Sequence, residues 1–179
     1  MGTQQSPIIL PWKGVEPEIA EDAFIAPNAT IVGDTRIASK ASIWFNVVLR
    51  GDVNYIRVGE RTNIQDGTVV HVSSKEHPTL IGADVLIGHM AMIHACTLED
   101  GCFVGMSSTI MDGAVVEKGA MVAAGALIAP GKRVGAGQLW AGTPARYVRD
   151  VKPEETNSFP EQIQRYVDLG QAYRSLVSD

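Results

Sequence analysis

The chain has 179 residues, a formal charge of −5 at pH 7, 45% hydrophobic but only 6% aromatic side chains, and 18 glycines. One domain of this size can bury a real core, and the composition favours a core of small and β-branched side chains over large rings. The acidic balance, with no Lys/Arg cluster, gives no electrostatic support to a nucleic-acid or anionic-membrane partner.

The N-terminal stretch MGTQQSPIILPWKG has no charged segment leading into a long apolar run, so no secretory signal is expected. No run of 18 apolar residues is free of polar interruption, so no membrane span is expected either. Met1-Gly2 with Ser6 matches an acylation pattern short enough to arise by chance. Two cysteines, Cys96 and Cys102, make no disulfide framework, which points to a reduced, cytoplasmic compartment.

A six-residue period then governs the chain. Large apolar residues fall at Ile25, Ile31, Ile37, Ile43 and Leu49 and, after a phase change, at Val58, Ile64 and Val70. The period resumes at Ile81, Ile87 and Ile93, and again at Leu98, Val104, Ile110, Val116, Val122, Ile128, Val134 and Trp140. The following residue is often small: Gly59, Gly82, Gly88, Gly105, Ala123, Ala129, Gly135. Six is not a helical period, and Gly, Val and Ile disfavour helix. The pattern predicts an all-β domain over residues 1–152, a parallel β-helix behind an N-terminal lead-in, with three units to each 18-residue coil. Roughly seven coils from Ala20 to Val148, at ~4.8 Å per strand, would stand about 34 Å tall.

After PARYVRD the period stops. Phe159, Ile163, Tyr166, Tyr173 and Val177 form a helical stripe, which predicts a C-terminal α-helix within 153–179. It is expected to start near Ser158 with Pro160 in its first turn, and to cover a surface of the prism or of a neighbouring subunit.

Three of the four histidines fall into register. His71 follows Val70 and His94 follows Ile93, so both point out of the prism. The wide gap between Val70 and Ile81 contains SSKEHP, a polar stretch that reads as a loop excursion. With the excursion set aside, His71 and His94 share a face, one coil apart at ~4.8 Å. Two imidazoles on one tetrahedral zinc place their ligating nitrogens about 3.3 Å apart, and slight convergence closes that gap. His89 lies on the preceding face, around a corner. A neighbouring prism about a threefold axis would supply it, giving a His₃ site between subunits with an open fourth position. His77, in the excursion, is expected to be a surface residue.

The stretches SIWFNVVLRGD, IRVGERTNIQDGTVVH, LIGHMAMIHACTLEDGCFVGMSSTI and WAGTPARYVRD carry a resemblance to the gamma-class carbonic anhydrases, over essentially the whole chain. That resemblance implies a left-handed β-helix and a homotrimer. It implies Zn²⁺, with Fe²⁺ or Co²⁺ able to substitute, on His71, His94 and a neighbour's His89. Arg50 and Asp52 would match the pair that bridges subunits. Gln65 would hydrogen-bond the metal-bound water, Asp66 would support the interface or proton movement, and Asn63 would stand behind them. Tyr166, or alternatively Tyr173, would lie near the metal. The implied activity is reversible hydration of carbon dioxide to bicarbonate by metal-bound hydroxide. The sequence departs from the family's best-studied type, which carries a long acidic loop with a glutamate proton shuttle. SSKEHP is short, leaving Glu76 or His77 for that task, and Val53 follows Asp52 where that type has a glutamate. These departures move the chain toward the family's short-loop subclass. Two alternatives stand beside this reading: an acyltransferase or acyl-CoA thioesterase on the same hexapeptide fold, and a non-catalytic metal-binding scaffold. Fold alone does not choose among them.

Overall fold

The computed structural model describes residues 6–74 and 76–178; Met1 and Gly2 of the acylation pattern, and the side chain of Val177, lie outside the described residues. The six-residue period becomes short strands on three faces of a prism. The first face stacks Phe24–Ile25, Ser42–Ile43, Asn63–Ile64, Leu86–Ile87, Phe103–Val104, Met121–Val122 and Gln138–Gly142, all in parallel. The second continues through Val69–His71, Met92–His94, Thr109–Ile110 and Leu127–Ile128. The third holds Thr79–Ile81, Thr97–Leu98, Val115–Val116 and Arg133–Val134. Two longer strands, Thr30–Ile37 and Val48–Val58, run unbroken around the corner between the second and third faces. An antiparallel pairing of Gln138–Gly142 with Ala145–Asp150 ends the stack.

The periodic residues do what their spacing requires. Ile31, Ile43, Leu49, Ile64, Val70, Ile87, Ile93, Val104 and Ile110 are completely buried in one continuous core. The small residues after them answer a different demand, because stacked coils bring backbones together at the corners. A Cβ on Gly59 would sit 2.4 Å from the backbone carbonyl of Gly82 in the next coil. The phase change after Leu49 is a bulge in the long strand: Gly33 pairs with Gly51 and Thr35 with Ile56, so residues 52–55 stand out opposite Asp34 alone.

The helix spans Pro153–Ser178, and so begins earlier than the apolar stripe indicated, with Pro160 inside it rather than in its first turn. The start is fixed by polar contacts that an apolar stripe does not record. Both terminal nitrogens of Arg149 bond the Glu155 carboxylate at 2.7 and 2.8 Å, and that carboxylate also accepts the Lys152 amide at 2.8 Å. Pro153 supplies the fixed φ suited to a first helical turn. The helix lies on its own prism, along the first face. Phe159, Ile163 and Val167 are buried, and Phe159 stacks on Phe103 with ring centroids 5.7 Å apart. Gly170 permits the closest approach, since a Cβ there would come within 3.2 Å of the Ser42 Cβ. Among the described residues no helix is long and apolar enough to cross a membrane.

Candidate metal centre

The backbone register on the second face pairs Ile93 with Val70 and His94 with His71. The excursion leaves after His71 and returns at Thr79 without disturbing that pairing; its neck is closed by the Ser73 amide donating to the His77 carbonyl at 3.1 Å. The two imidazoles tilt at 51° and converge, so that His71 Nδ1 and His94 Nε2 stand 3.2 Å apart. That matches the ~3.3 Å separation of two nitrogens on a tetrahedral zinc.

Each of the three aligned histidines has a carboxylate on a ring nitrogen. Asp52 Oδ1 lies 3.1 Å from His71 Nε2, Asp66 Oδ2 lies 2.8 Å from His89 Nδ1, and Asp112 Oδ1 lies 2.6 Å from His94 Nδ1. Metal-ligating histidines characteristically use such a partner to fix ring orientation and tautomer. Burial holds the His71 pKa below its ordinary value despite the pull of Asp52, which favours the neutral ring that a metal requires. Burial alone would raise the Asp52 pKa, but hydrogen bonds from Arg50, at 2.5 Å, and from His71 outweigh it and leave the group below the usual range.

His89 is not brought to this pair. It leaves the first face beyond Ile87 with its side chain 44% exposed, and among the described residues no three or more His, Cys, Asp or Glu side chains of one chain form a metal-sized group. Among the described residues one chain presents two separate groups: His71 with His94 on the second face, and His89 with Asp66 at the corner of the first. The cysteines take no part, being buried in the core, where burial pushes their thiol pKa values far up.

Gln65 and Asn63 belong to the corner that carries His89. The Gln65 amide bonds the Ile87 carbonyl at 3.0 Å, and the Met90 amide bonds the Asp66 carbonyl at 2.9 Å, which locks the two corners together. Gln65 is only 4% exposed and sits in a directed chain of side-chain hydrogen bonds. Trp44 Nε1 and Asn63 Nδ2 both donate to Ser42 Oγ, at 3.2 and 2.9 Å, and Gln65 Nε2 donates to Asn63 Oδ1 at 3.0 Å. Gln65 thus commits its N–H to Asn63 and keeps its carbonyl oxygen as an acceptor. Tyr166 packs edge-on to Trp44 at 5.9 Å, and its hydroxyl pKa is raised by burial and then by the Asp66 charge, which puts it beside the His89 corner. Tyr173 instead packs among Phe24, Trp44 and Phe45 at 5.2–5.9 Å, as a core residue. Glu76 is exposed, whereas His77 is half-buried rather than a free surface residue: a Cβ on Gly113 would meet its ring at 3.1 Å. Asp112, Ser42 and Trp44 were not singled out by the sequence reading. Asp112 follows His94 by one 18-residue coil, a signal available in the period itself.

A parallel prism of this kind defines a hexapeptide-repeat protein, and a family model described as a hexapeptide repeat of succinyl-transferase matches residues 96–130. A solved Bacillus cereus structure assigned as an acetyltransferase superposes with a TM-score of 0.94 at 38% identity, covering 96% of this chain and 99% of that one. Within that broad class, the chain belongs to the gamma-class carbonic anhydrase family. It is 44% identical to a carbonic anhydrase of Geobacillus kaustophilus, covering 94% of this chain and 92% of the relative. It is 48% identical to the mitochondrial gamma carbonic anhydrase 2 of Arabidopsis thaliana over 89% of this chain, but spans only 59% of that plant protein's length.

Proposed function

We propose that the chain catalyses the reversible hydration of carbon dioxide to bicarbonate as a zinc-dependent homotrimer whose sites form between subunits. The observation that carries this reading is the 3.2 Å convergence of His71 and His94, each backed by its own carboxylate. A metal held there, zinc or alternatively iron or cobalt, would supply a Lewis acid that brings the pKa of a water into the neutral range. His71 and His94 of one chain would hold it, with His89 of a neighbour as third ligand. Gln65, fixed by Asn63, offers a carbonyl oxygen to accept a hydrogen bond from the reacting water. Asp66 holds the His89 ring, and Tyr166 closes that corner against solvent. Arg50 and Asp52 tie the His71 side to the interface. Proton export falls to the excursion loop, where Glu76 and His77 are the candidate shuttles.

The similarity to a structure assigned as an acetyltransferase favours a second reading, acyl transfer or acyl-CoA hydrolysis on the same fold. One experiment separates the readings: metal analysis of anaerobically purified protein, with stopped-flow CO₂ hydration and acyl-CoA consumption measured on wild type and His94→Ala. Roughly one zinc per chain, with hydration lost in His94→Ala, supports carbonic anhydrase activity. Metal without hydration supports the scaffold, and acyl-CoA turnover without metal supports the transferase.

A further inference from the structure

His94 has two ring nitrogens with different neighbours. Nε2 faces His71 Nδ1 at 3.2 Å, while Nδ1 faces Asp112 Oδ1 at 2.6 Å, the shortest of the three carboxylate–imidazole contacts. An ionised carboxylate only accepts hydrogen bonds, so the contact requires the hydrogen on Nδ1 and leaves the Nε2 lone pair directed at the convergence point.

The other two carboxylates are placed differently. Asp52 is shared with Arg50, and Asp66, exposed to a similar degree as Asp112, makes the longer contact to its ring, 2.8 against 2.6 Å. Asp112 is held on both sides by backbone: its carbonyl accepts the Gly131 amide at 2.8 Å, and the Gly113 amide donates to the Ala95 carbonyl at 2.8 Å. His77 lies over Gly113 and leaves little room for that turn to shift. The aspartate is therefore fixed in the coil next to His94 and aimed at a single ring.

We propose that Asp112 is a positioning residue that locks His94 in its Nδ1–H tautomer and so aims Nε2 at the metal; the metal part rests on the carbonic anhydrase reading above. The test uses Asp112→Ala and Asp112→Asn in the full chain. The His94 tautomer is read in metal-free protein by long-range ¹H–¹⁵N correlation, and zinc affinity by chelator competition. Wild type is expected to show the Nδ1–H form. Asp112→Ala is expected to move the ring toward the Nε2–H form and to weaken zinc binding by about 10–100-fold. Asp112→Asn, which keeps a carbonyl acceptor, should recover part of both losses with wild-type thermal stability, separating positioning from folding. An unchanged tautomer, or zinc affinity within about twofold of wild type, in Asp112→Ala overturns the proposal. A wild-type chain that binds no zinc would overturn the metal reading itself, while the tautomer measurement still decides whether Asp112 sets the ring.

Discussion

Asn63 Oδ1 accepts the Gln65 amide at 3.0 Å, and Asn63 in turn donates to Ser42 Oγ at 2.9 Å, so the three side chains orient one another. Reversing Asn63 would set N–H against N–H at Gln65. Because Ser42 also receives the Trp44 indole N–H, the aromatic cluster under the C-terminal helix and the orientation of Gln65 belong to one chain of bonds. Ser42→Ala should leave two buried donors without their acceptor and cost about 1–3 kcal/mol of stability by urea unfolding. On the proposed function hydration should slow as well, since Gln65 loses the anchor that orients it, while His71 and His94, on the second face, keep their separation.

Gly59→Ala tests the stacking of coils. The added Cβ would fall 2.4 Å from both the carbon and the oxygen of the Gly82 carbonyl. Backbone in the middle of the stack cannot swing aside as a side-chain tip can, so this methyl should cost about 1–3 kcal/mol, read as a lowered thermal midpoint.

The helix anchor predicts an acid response. Hydrogen bonds from the Arg149 guanidinium and the Lys152 amide hold the Glu155 pKa down at about 2, below its ordinary 4.5. A depressed carboxylate contributes stability that is present above the unfolded pKa and lost as pH falls through the folded one. Amide exchange in the first turns of Pro153–Ser178, corrected for the intrinsic pH dependence of the amide rate, should therefore accelerate between about pH 4.5 and 2 in wild type. Glu155→Gln should show the faster exchange already at neutral pH and little further change on acidification.

The separation of His89 from the His71–His94 pair makes a prediction about mixtures. His89→Ala and His94→Ala chains should each lose zinc when alone. If His89 serves a neighbour's His71–His94 pair, mixed trimers should regain a fraction of the sites, measured as zinc bound after subunit exchange. No regain, with exchange verified by mass-tagged chains, would count against a site shared between subunits.

The prism and the histidine pair were legible because both depend on counting. Once Val70 and Ile93 are known to occupy successive coils, the residue after each must share a face, whatever the loop between them does. Asp112 obeys the same count, one coil beyond His94, yet it stands in MDGA, where an aspartate before glycine reads as turn chemistry. The burial of Gln65 was not legible, because offset within a strand gives a direction and not what lies over it. The C-terminal helix packs along the same face, where Gly170 meets Ser42, a contact that spacing within one strand does not record. The helix start was misplaced for a related reason: Phe159 opens the apolar stripe, but Arg149 and Glu155 fix the first turn by charge.

The excursion after His71 has a consequence for how such a protein can vary. The chain leaves the prism after His71 and returns at Thr79, and His94 still pairs with His71 as though nothing intervened. Alignment is enforced by each strand against its neighbour, so the connection can lengthen, shorten or change composition while the two histidines keep their separation. Whatever overhangs the histidines is thereby freed from the geometry that holds them, and the loop can diversify by insertion without disturbing the 3.2 Å approach of the two imidazoles.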